Sequence, residues 1–277
     1  MEKWRMIPFN RFNAFENMAI DEAIFKASQK GNMPPTLRFY SWKRDTVSIG
    51  YFQNAKREVN LDYCRENAID VVRRPTGGKA VLHENDLTYS LTAGEENENF
   101  SSDIMETYRV ISECLIGGLR RIGIEAEMME EGRPRTKETI DAYCFSAPSQ
   151  YELLVNGRKI CGSAQVRAKG TFLQHGSILI DIDPVNTCSA IMIDDCDTED
   201  GPERLMKSVT SIRENIGDGV TIEGLCKGIS ENFEKRLNVQ LVACEITPEE
   251  DSLKKLLLQN KYATDLWNLE GKWKNGN

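Results

Sequence analysis

The sequence has little histidine, no excess of positive charge and no long apolar run. Only two histidines occur, and the eight cysteines include no CxxC pair, so no spacing typical of a zinc site is present. A formal net charge of −8 makes nucleic acid or an anionic membrane an unfavourable main partner. No apolar run approaches the roughly 18 residues of a membrane helix, and the N-terminus lacks the apolar core and cleavage site of a signal peptide. These absences predict a cytoplasmic protein with no metal site, no nucleic-acid partner and no membrane partner.

The rest of the composition is typical of a globular protein. The 277 residues, 40% of them hydrophobic and 28% charged, are enough for one large domain or for one domain with a small appendage. In a reducing compartment, most of the eight scattered cysteines are expected to be small buried apolar residues. The size and composition therefore predict a packed core, and any reactive cysteine has to be distinguished by its local context.

Helical periodicity is clear in three segments. Apolar residues recur there at three-to-four spacing, which predicts helices over residues 14–29, 104–122 and about 222–237. Thr247 and Glu250 form the pattern of a capping box, which predicts the start of a further helix.

Short β-type segments lie between these helices, among them "TLRFYSW", "TVSIGYF", "DVVRRP", "KAVLH" and "LTYSLTA". Turn residues at Asn156-Gly157 and Lys169-Gly170 predict two hairpins, and three strands joined in this way form an antiparallel meander. Regular βαβ alternation is missing. The order of elements therefore predicts an α+β fold with a mixed, largely antiparallel β-sheet flanked by helices.

The first stretch that suggests chemistry is "RRPTGGKAVLHENDLTYS", residues 73–90, which places a Gly-Gly turn between two short apolar strands. Adjacent glycines let the backbone approach a ligand closely and aim N–H groups at an anion or a carbonyl. The stretch matches neither the phosphate-binding loop nor the dinucleotide motif, and a hairpin turn with solvated charges explains it equally well. His83 and His175 lie beside the two Gly-containing motifs, which favours a shared cleft, although single histidines on strands are more often structural.

The second stretch is "CFSAPSQYELLVNGRKICGSAQ", residues 144–165. Cys144 follows the polar segment 130–143, which predicts a mobile loop, and precedes a Pro-Ser turn, so its side chain is expected to be exposed. The thiolate is the attacking form of cysteine, and the ammonium of Lys159 could lower the thiol pKa from the same cleft. An exposed strand lysine is the commoner case for such a residue. Cys161, two residues beyond Lys159, is expected on the same strand face.

Three stretches together, in order and at compatible spacing, resemble a known superfamily: "RRPTGGKAVLHENDLTYS", "CFSAPSQYELLVNGRKICGSAQVR" and "TFLQHGSILI". It is the lipoate-attachment superfamily of lipoate–protein ligases, octanoyltransferases and, more distantly, biotin ligases. The best match within it is the LipM type of octanoyltransferase, and the resemblance extends over about residues 3–215. It implies an acyltransferase catalytic domain over residues 1–245, with a C-terminal helical extension over 246–277 packed on the same domain.

The resemblance also implies a reaction. Octanoyl is taken from the thioester of acyl carrier protein and passed to a lysine of a lipoyl domain, such as the glycine-cleavage H protein, without ATP or a metal. Cys144 would carry the octanoyl thioester, and Lys159 would contact the acyl carbonyl and help to polarise the thiol. The resemblance implies that the acyl site is lined by Arg74, Thr76, Gly77, Gly78, His83, Gly162, Ser163, His175 and Gly176. A monomer is the default expectation.

Several alternatives stay open. An ATP-dependent lipoate–protein ligase usually has an arginine where this chain has Tyr51 and generally lacks a cysteine at the position of Cys144, and both differences disfavour it. An amidotransferase that moves octanoyl between lipoyl domains keeps such a cysteine, but "LQHGSIL" fits the octanoyltransferase pattern better. Cys196 is the rival nucleophile, although the acidic residues around it raise a thiol pKa. A non-catalytic acyl- or nucleotide-binding module would instead bind its ligand reversibly.

Overall fold

The computed structural model describes residues 1–31, 33–129, 152–191 and 200–273. The predicted loop over 130–143, Cys144 and Cys196 lie outside the described residues. Within the described ranges, no helix is both long and apolar enough to cross a membrane.

The described residues form eleven strands and ten helices. The strands are β1 (Glu2–Phe12), β2 (Thr36–Trp42), β3 (Thr46–Ile49), β4 (Asp70–Arg73), β5 (Val81–His83), β6 (Asp86–Gly94), β7 (Glu127–Met128), β8 (Leu153–Val155), β9 (Arg158–Ala168), β10 (Thr171–Leu179) and β11 (Val239–Ala243). The helices are α1 (Ala14–Ser28), α2 (Ala55–Glu58), α3 (Leu61–Glu66), α4 (Ile104–Arg121), α5 (Pro184–Ala190), α6 (Gly201–Ser208), α7 (Ile212–Ile216), α8 (Ile222–Leu237), α9 (Pro248–Leu257) and α10 (Asp265–Asn268). Helices α1, α4 and α8 are the three that the periodicity predicts, whereas strand β1 was not predicted.

The larger of two sheets is mixed, in agreement with the prediction. Its eight strands run in the order β11-β1-β2-β6-β10-β9-β8-β7. Strand β1 pairs in parallel with β2 and β11, and the remaining pairs are antiparallel. The predicted meander is β8-β9-β10, and both residues of each turn, Asn156-Gly157 and Lys169-Gly170, have positive φ. This backbone conformation is the one that a two-residue type I′ hairpin turn requires.

The smaller sheet changes the interpretation of the Gly-Gly turn. Its strands lie in the order β4-β3-β5, with β4 parallel and β5 antiparallel to β3. The two strands that flank the Gly-Gly pair are therefore not hairpin partners, because β3 lies between them. The hairpin alternative is wrong, and the connection is a loop that crosses the end of β3.

Helices cover both faces of the large sheet. On one face, α4 and α8 pack together over the main core, which includes Leu37, Phe39 and Tyr89 from the sheet. On the opposite face, α1 packs against Tyr40 and Trp42, and α9 packs against α1. Each large apolar side chain that is fully buried in this way stabilises the fold by roughly 1.5–3 kcal/mol.

Helix α1 is buried on nearly all sides. Its predicted apolar face is buried, but the polar residues Asn17, Asp21 and Glu22 are each at most 5% exposed. The sheet and the C-terminal segment enclose α1 from two directions, so its polar side meets protein rather than water. The carboxylates of Asp21 and Glu22 and the amide of Asn17 therefore need buried hydrogen-bonding partners.

The C-terminal segment packs on the same body as the rest of the chain. The capping box is present, since Thr247 accepts from the Glu250 amide while Glu250 accepts from the Thr247 amide. The Glu250 carboxylate also binds Arg5 of β1, with an Nη1–Oε1 distance of 2.6 Å. Further along, the Trp267 indole donates to the carbonyl of Arg73 at the end of β4. The proposed boundary between residues 245 and 246 stays a prediction.

Candidate active site

The Gly-Gly loop is held by the buried guanidinium of Arg74. Its Nη1 donates to the Ser48 carbonyl of β3 (3.0 Å), its Nε to the Gly77 carbonyl (3.1 Å) and its Nη2 to the Lys79 carbonyl (2.7 Å). Backbone carbonyls left unpaired in a buried turn are costly, so these bonds fix the loop. These bonds join Arg74 to the loop and to β3, and its predicted role in binding substrate stays a prediction.

Two glycines allow the loop to lie close to the end of β3. Gly78 has φ of +88°, a conformation that favours glycine. Gly50 lies directly against the backbone of Gly78, where a Cβ would overlap the carbonyl oxygen. The Tyr51 amide also donates to the Thr76 carbonyl at 2.8 Å. The Gly-Gly loop and the turn that starts at Gly50 therefore form one packed unit.

Gly50→Ala is expected to lower the free energy of unfolding by about 1–3 kcal/mol, because the added methyl group would displace the backbone of Gly78. Gly77→Ala is the matched control, since a Cβ at Gly77 would meet no atom within 4 Å. Urea unfolding of the two variants measures the difference. Equal unfolding midpoints would contradict the close approach of the two backbones.

His83 contacts Ser48, which is also a partner of the loop-holding Arg74. Its Nε2 lies 2.8 Å from the Ser48 hydroxyl, which in turn accepts from Arg74, and its Nδ1 lies 2.8 Å from Asp86 Oδ2. The ring stacks on Trp42 with a centroid separation of 4.4 Å. The structure therefore places His83 in a chain of contacts that ends at the Gly-Gly loop, with Asp86 as a partner that the sequence analysis did not name.

His175 links the large sheet to the loop. Its Nε2 lies 2.6 Å from the Thr76 hydroxyl, and its Nδ1 lies 3.5 Å from Asp21 Oδ2. Burial lowers the pKa of His175, although Asp21 opposes that effect. For the neutral ring, a proton on Nδ1 suits the carboxylate, and Nε2 then accepts from Thr76. The prediction that Thr76 and His175 lie together agrees with this geometry.

Lys159 forms a buried ion pair with Glu152. The Nζ–Oε1 distance is 2.5 Å, and the two residues are 5% and 8% exposed. The alternative of an exposed strand lysine is therefore wrong. Gly162 makes room for this pair, since a Cβ there would lie 2.7 Å from Lys159 Cε. Glu152 was missed because it lies just before β8 whereas Lys159 is the second residue of β9, so the two meet only when the strands pair. The one sequence signal for Glu152 was an acidic residue at the start of an apolar strand.

Cys161 faces away from Lys159, contrary to the prediction. Leu153 pairs with Cys161 while Leu154 pairs with Lys159, so Ile160 is an extra residue in β9. Such a bulge breaks the alternation of side chains along the strand. Cys161 consequently points into the main core, whereas Lys159 lies against Gly162, on the strand face where Gly78 of the loop approaches Ala164.

The remaining predicted residues divide between the two faces of the sheet. Gly162 lies on the face of Lys159, and His175 is on the same face because its register partner, Ala164, lies two residues from Gly162. Ser163 points to the other face, where its hydroxyl lies 2.7 Å from the Tyr89 hydroxyl. Gly176 pairs with Ser163, and a Cβ there would lie 2.7 Å from the Tyr89 ring. The side chain of Ser163 therefore does not face the Gly-Gly loop.

The thiols of four described cysteines are poorly suited to attack. Burial raises the pKa of Cys64 to about 11, and it raises the pKa of Cys114, Cys161 and Cys226 to about 12. A nucleophilic cysteine needs a lowered thiol pKa and access to its substrate. Cys64, Cys114 and Cys161 are the buried apolar cysteines that the composition predicts, and Cys226 is half-buried.

Comparison with known proteins relates this geometry to one family. Residues 13–234 match the family model described as the lipoyl protein ligase A/B catalytic domain. Octanoyltransferase LipM of Clostridioides difficile strain 630 is 42% identical over 272 residues, which cover 97% of this chain and 99% of that protein. Octanoyltransferase LipM of Bacillus subtilis strain 168 is 39% identical over 272 residues, with coverage of 96% and 98%.

Solved structures of lipoate–protein ligases share the fold. A bipartite lipoate protein ligase of Thermoplasma acidophilum, studied with its E2 lipoyl domain, has a TM-score of 0.84 at 27% identity and covers both chains completely. A lipoate-protein ligase A bound with ATP has a TM-score of 0.80 at 28% identity, covering 98% of this chain and 100% of the other. The likeness therefore includes the segments that carry the Gly-Gly loop, Lys159 and His175.

Proposed function

The chain belongs to the family of lipoyl protein ligase A/B catalytic domains, and we propose that it carries octanoyl from acyl carrier protein to a lipoyl domain through a thioester on Cys144. It is an octanoyltransferase of lipoate biosynthesis. The single observation that carries this conclusion is the similarity to LipM octanoyltransferases over nearly the whole chain. The donor, the acceptor and the thioester intermediate are the parts that need an experiment.

The proposed reaction has two half-reactions that use one acyl site in turn. In the first, the Cys144 thiolate attacks the carbonyl carbon of the octanoyl thioester, the new C–S bond forms, and the pantetheine thiolate leaves. In the second, the ε-amine of the acceptor lysine attacks the same carbon, the amide C–N bond forms, and Cys144 leaves with the proton that the amine releases. Thioester exchange is nearly thermoneutral and the amide is much more stable, so the sequence needs no ATP.

The described residues would hold the acyl group while this happens. Glu152 fixes the ammonium of Lys159 on the face of the sheet that carries His175 and faces the Gly-Gly loop. A fixed cation stabilises the negative charge that develops on a carbonyl oxygen, because no reorganisation is needed at the moment of reaction. A nearby positive charge that lowered the thiol pKa by one unit would contribute about 1.4 kcal/mol.

A second candidate function is ATP-dependent ligation of free lipoate. It is favoured by the structural likeness to a lipoate-protein ligase A that binds ATP. The absence of a requirement for ATP or a metal therefore stays a prediction. So do a monomeric state, a cytoplasmic location and the glycine-cleavage H protein as acceptor.

The test is transfer to a lipoyl-domain protein followed by intact mass. With octanoyl–acyl carrier protein and no ATP, the acceptor is expected to gain the mass of one octanoyl group on its lipoyl lysine. Parallel samples contain free octanoate or lipoate with ATP and Mg²⁺. Modification only in the ATP samples would show that the chain is a ligase and would overturn the proposed donor.

A further inference from the structure

We propose that five residues next to the Gly-Gly loop form the docking surface for the donor, an acidic carrier domain that presents the acyl thioester on its arm. The residues are Tyr51, Phe52, Lys56, Arg57 and Lys79, called here the aromatic–basic patch. This inference rests on the proposed function, because it assumes a donor bound to a carrier protein.

The aromatic part of the patch is displayed on a rigid turn. The buried guanidinium of Arg73 donates through one nitrogen to the carbonyls of Gly50, Tyr51 and Gln53, at 3.0, 2.9 and 2.7 Å. The Gln53 side chain accepts from the Gly50 amide at 2.9 Å. A turn with this many internal bonds holds its side chains in one orientation, so a partner would meet a preformed surface.

The same turn exposes apolar area that the fold does not cover. Phe52 is 89% exposed and Tyr51 is 44% exposed. Their rings contact each other edge to face, with a centroid separation of 4.8 Å. Single exposed apolar residues are common, but a paired and immobilised aromatic cluster is typical of the centre of a protein interface. The Tyr51 ring also packs edge to face against the Trp267 ring, with a centroid separation of 5.6 Å.

The rim of the patch is positively charged. Lys56, Arg57 and Lys79 are exposed, and in the part of the chain that the structure describes they form no ion pair. Some exposed cations elsewhere are paired, as Arg65 is with Asp62 at 2.8 Å and Lys30 is with Glu249 at 2.6 Å, whereas the exposed Lys3 and Lys235 form no ion pair with any described residue. An unpaired basic rim on a chain with a net charge of −8 fits an acidic partner and would speed its association.

The patch lies at the edge of the candidate active site. The Tyr51 amide donates to the carbonyl of Thr76, whose side chain contacts His175. Lys79 follows Gly78 directly and its carbonyl accepts from Arg74. A carrier domain seated on the patch would therefore place its arm beside the Gly-Gly loop.

The test compares a carrier-bound donor with a small one. Lys56→Glu/Arg57→Glu and Phe52→Ala are each expected to raise the KM for octanoyl–acyl carrier protein about tenfold. The rate with octanoyl-pantetheine and the KM for the lipoyl-domain acceptor are expected to stay unchanged. Added salt should raise the wild-type KM for the carrier and leave that of the charge-reversal variant nearly constant.

Lys3→Glu/Lys235→Glu is the matched control, since both lysines are exposed and lie towards the β11 edge of the large sheet. An unchanged carrier KM in the patch variants, with wild type active, would overturn the docking surface while leaving the proposed function intact. A rise in the acceptor KM instead, or equal losses with both donors, would also overturn it. No transfer from octanoyl–acyl carrier protein by wild type would mean that the proposed function itself has failed.

Discussion

Cys144→Ser is expected to reduce octanoyl transfer by about 10³-fold or more, because the hydroxyl that replaces the thiol is a far weaker nucleophile near neutral pH. Wild-type protein mixed with octanoyl–acyl carrier protein alone is expected to gain one octanoyl group. Hydroxylamine should remove that group, since it cleaves thioesters, and the variant should gain none. Intact mass of both proteins, before and after hydroxylamine, is the measurement.

Cys196→Ser separates the two candidate nucleophiles. Both cysteines lie outside the described residues, so the choice between them depends on chemistry and on the family resemblance. If Cys144 carries the acyl group, Cys196→Ser forms the adduct at the wild-type rate. An adduct that persists in Cys144→Ser and disappears in Cys196→Ser would assign the thioester to Cys196 instead.

Asp21→Asn is expected to lower the free energy of unfolding by about 3–5 kcal/mol, because it leaves the guanidinium of Arg38 buried without a charged partner. Arg38 is 1% exposed and its Nη1 lies 2.6 Å from Asp21 Oδ1. Tyr40 and Ser90 donate to the same carboxylate, each at 2.8 Å. Urea unfolding at neutral pH measures the loss.

Glu249→Gln is the control, because Lys30 and Glu249 are also 2.6 Å apart but more than half exposed. An exposed pair contributes at most about 1 kcal/mol. If the two substitutions had equal effects, burial would not be what makes the Asp21–Arg38 pair important.

The effect of Asp21→Asn on stability is also expected to depend on pH. Burial alone would raise the pKa of Asp21, but Arg38, His175 and Tyr40 outweigh it and lower that pKa. A carboxyl whose pKa is lower in the folded state stabilises the fold above its unfolded pKa, about 4, and loses this contribution as the pH falls through the folded pKa. The difference in stability between wild type and Asp21→Asn should therefore shrink below about pH 4.

Local signals in the sequence predicted local structure well. The turns at Asn156-Gly157 and Lys169-Gly170 and the capping box of Thr247 and Glu250 are all present. In each case the conformation depends on residues within a few positions of one another, whose φ preferences and side-chain hydrogen bonds act without help from the rest of the fold. Strand β1 was missed because its pairing shifts register between Ile7 and Asn10, which blurs the alternation of buried and exposed residues.

The sequence by itself determined the family, the main helices, the meander and the motifs from which the candidate site is built. It could not determine that β3 separates β4 from β5, that Ile160 bulges and turns Cys161 into the core, or that Glu152 pairs with Lys159. Nor could it show that Asp21, inside an apolar helix, is the shared partner of Arg38 and His175. These features join segments that are distant in the chain or depend on strand register, and only the packed tertiary structure decides which buried charges meet.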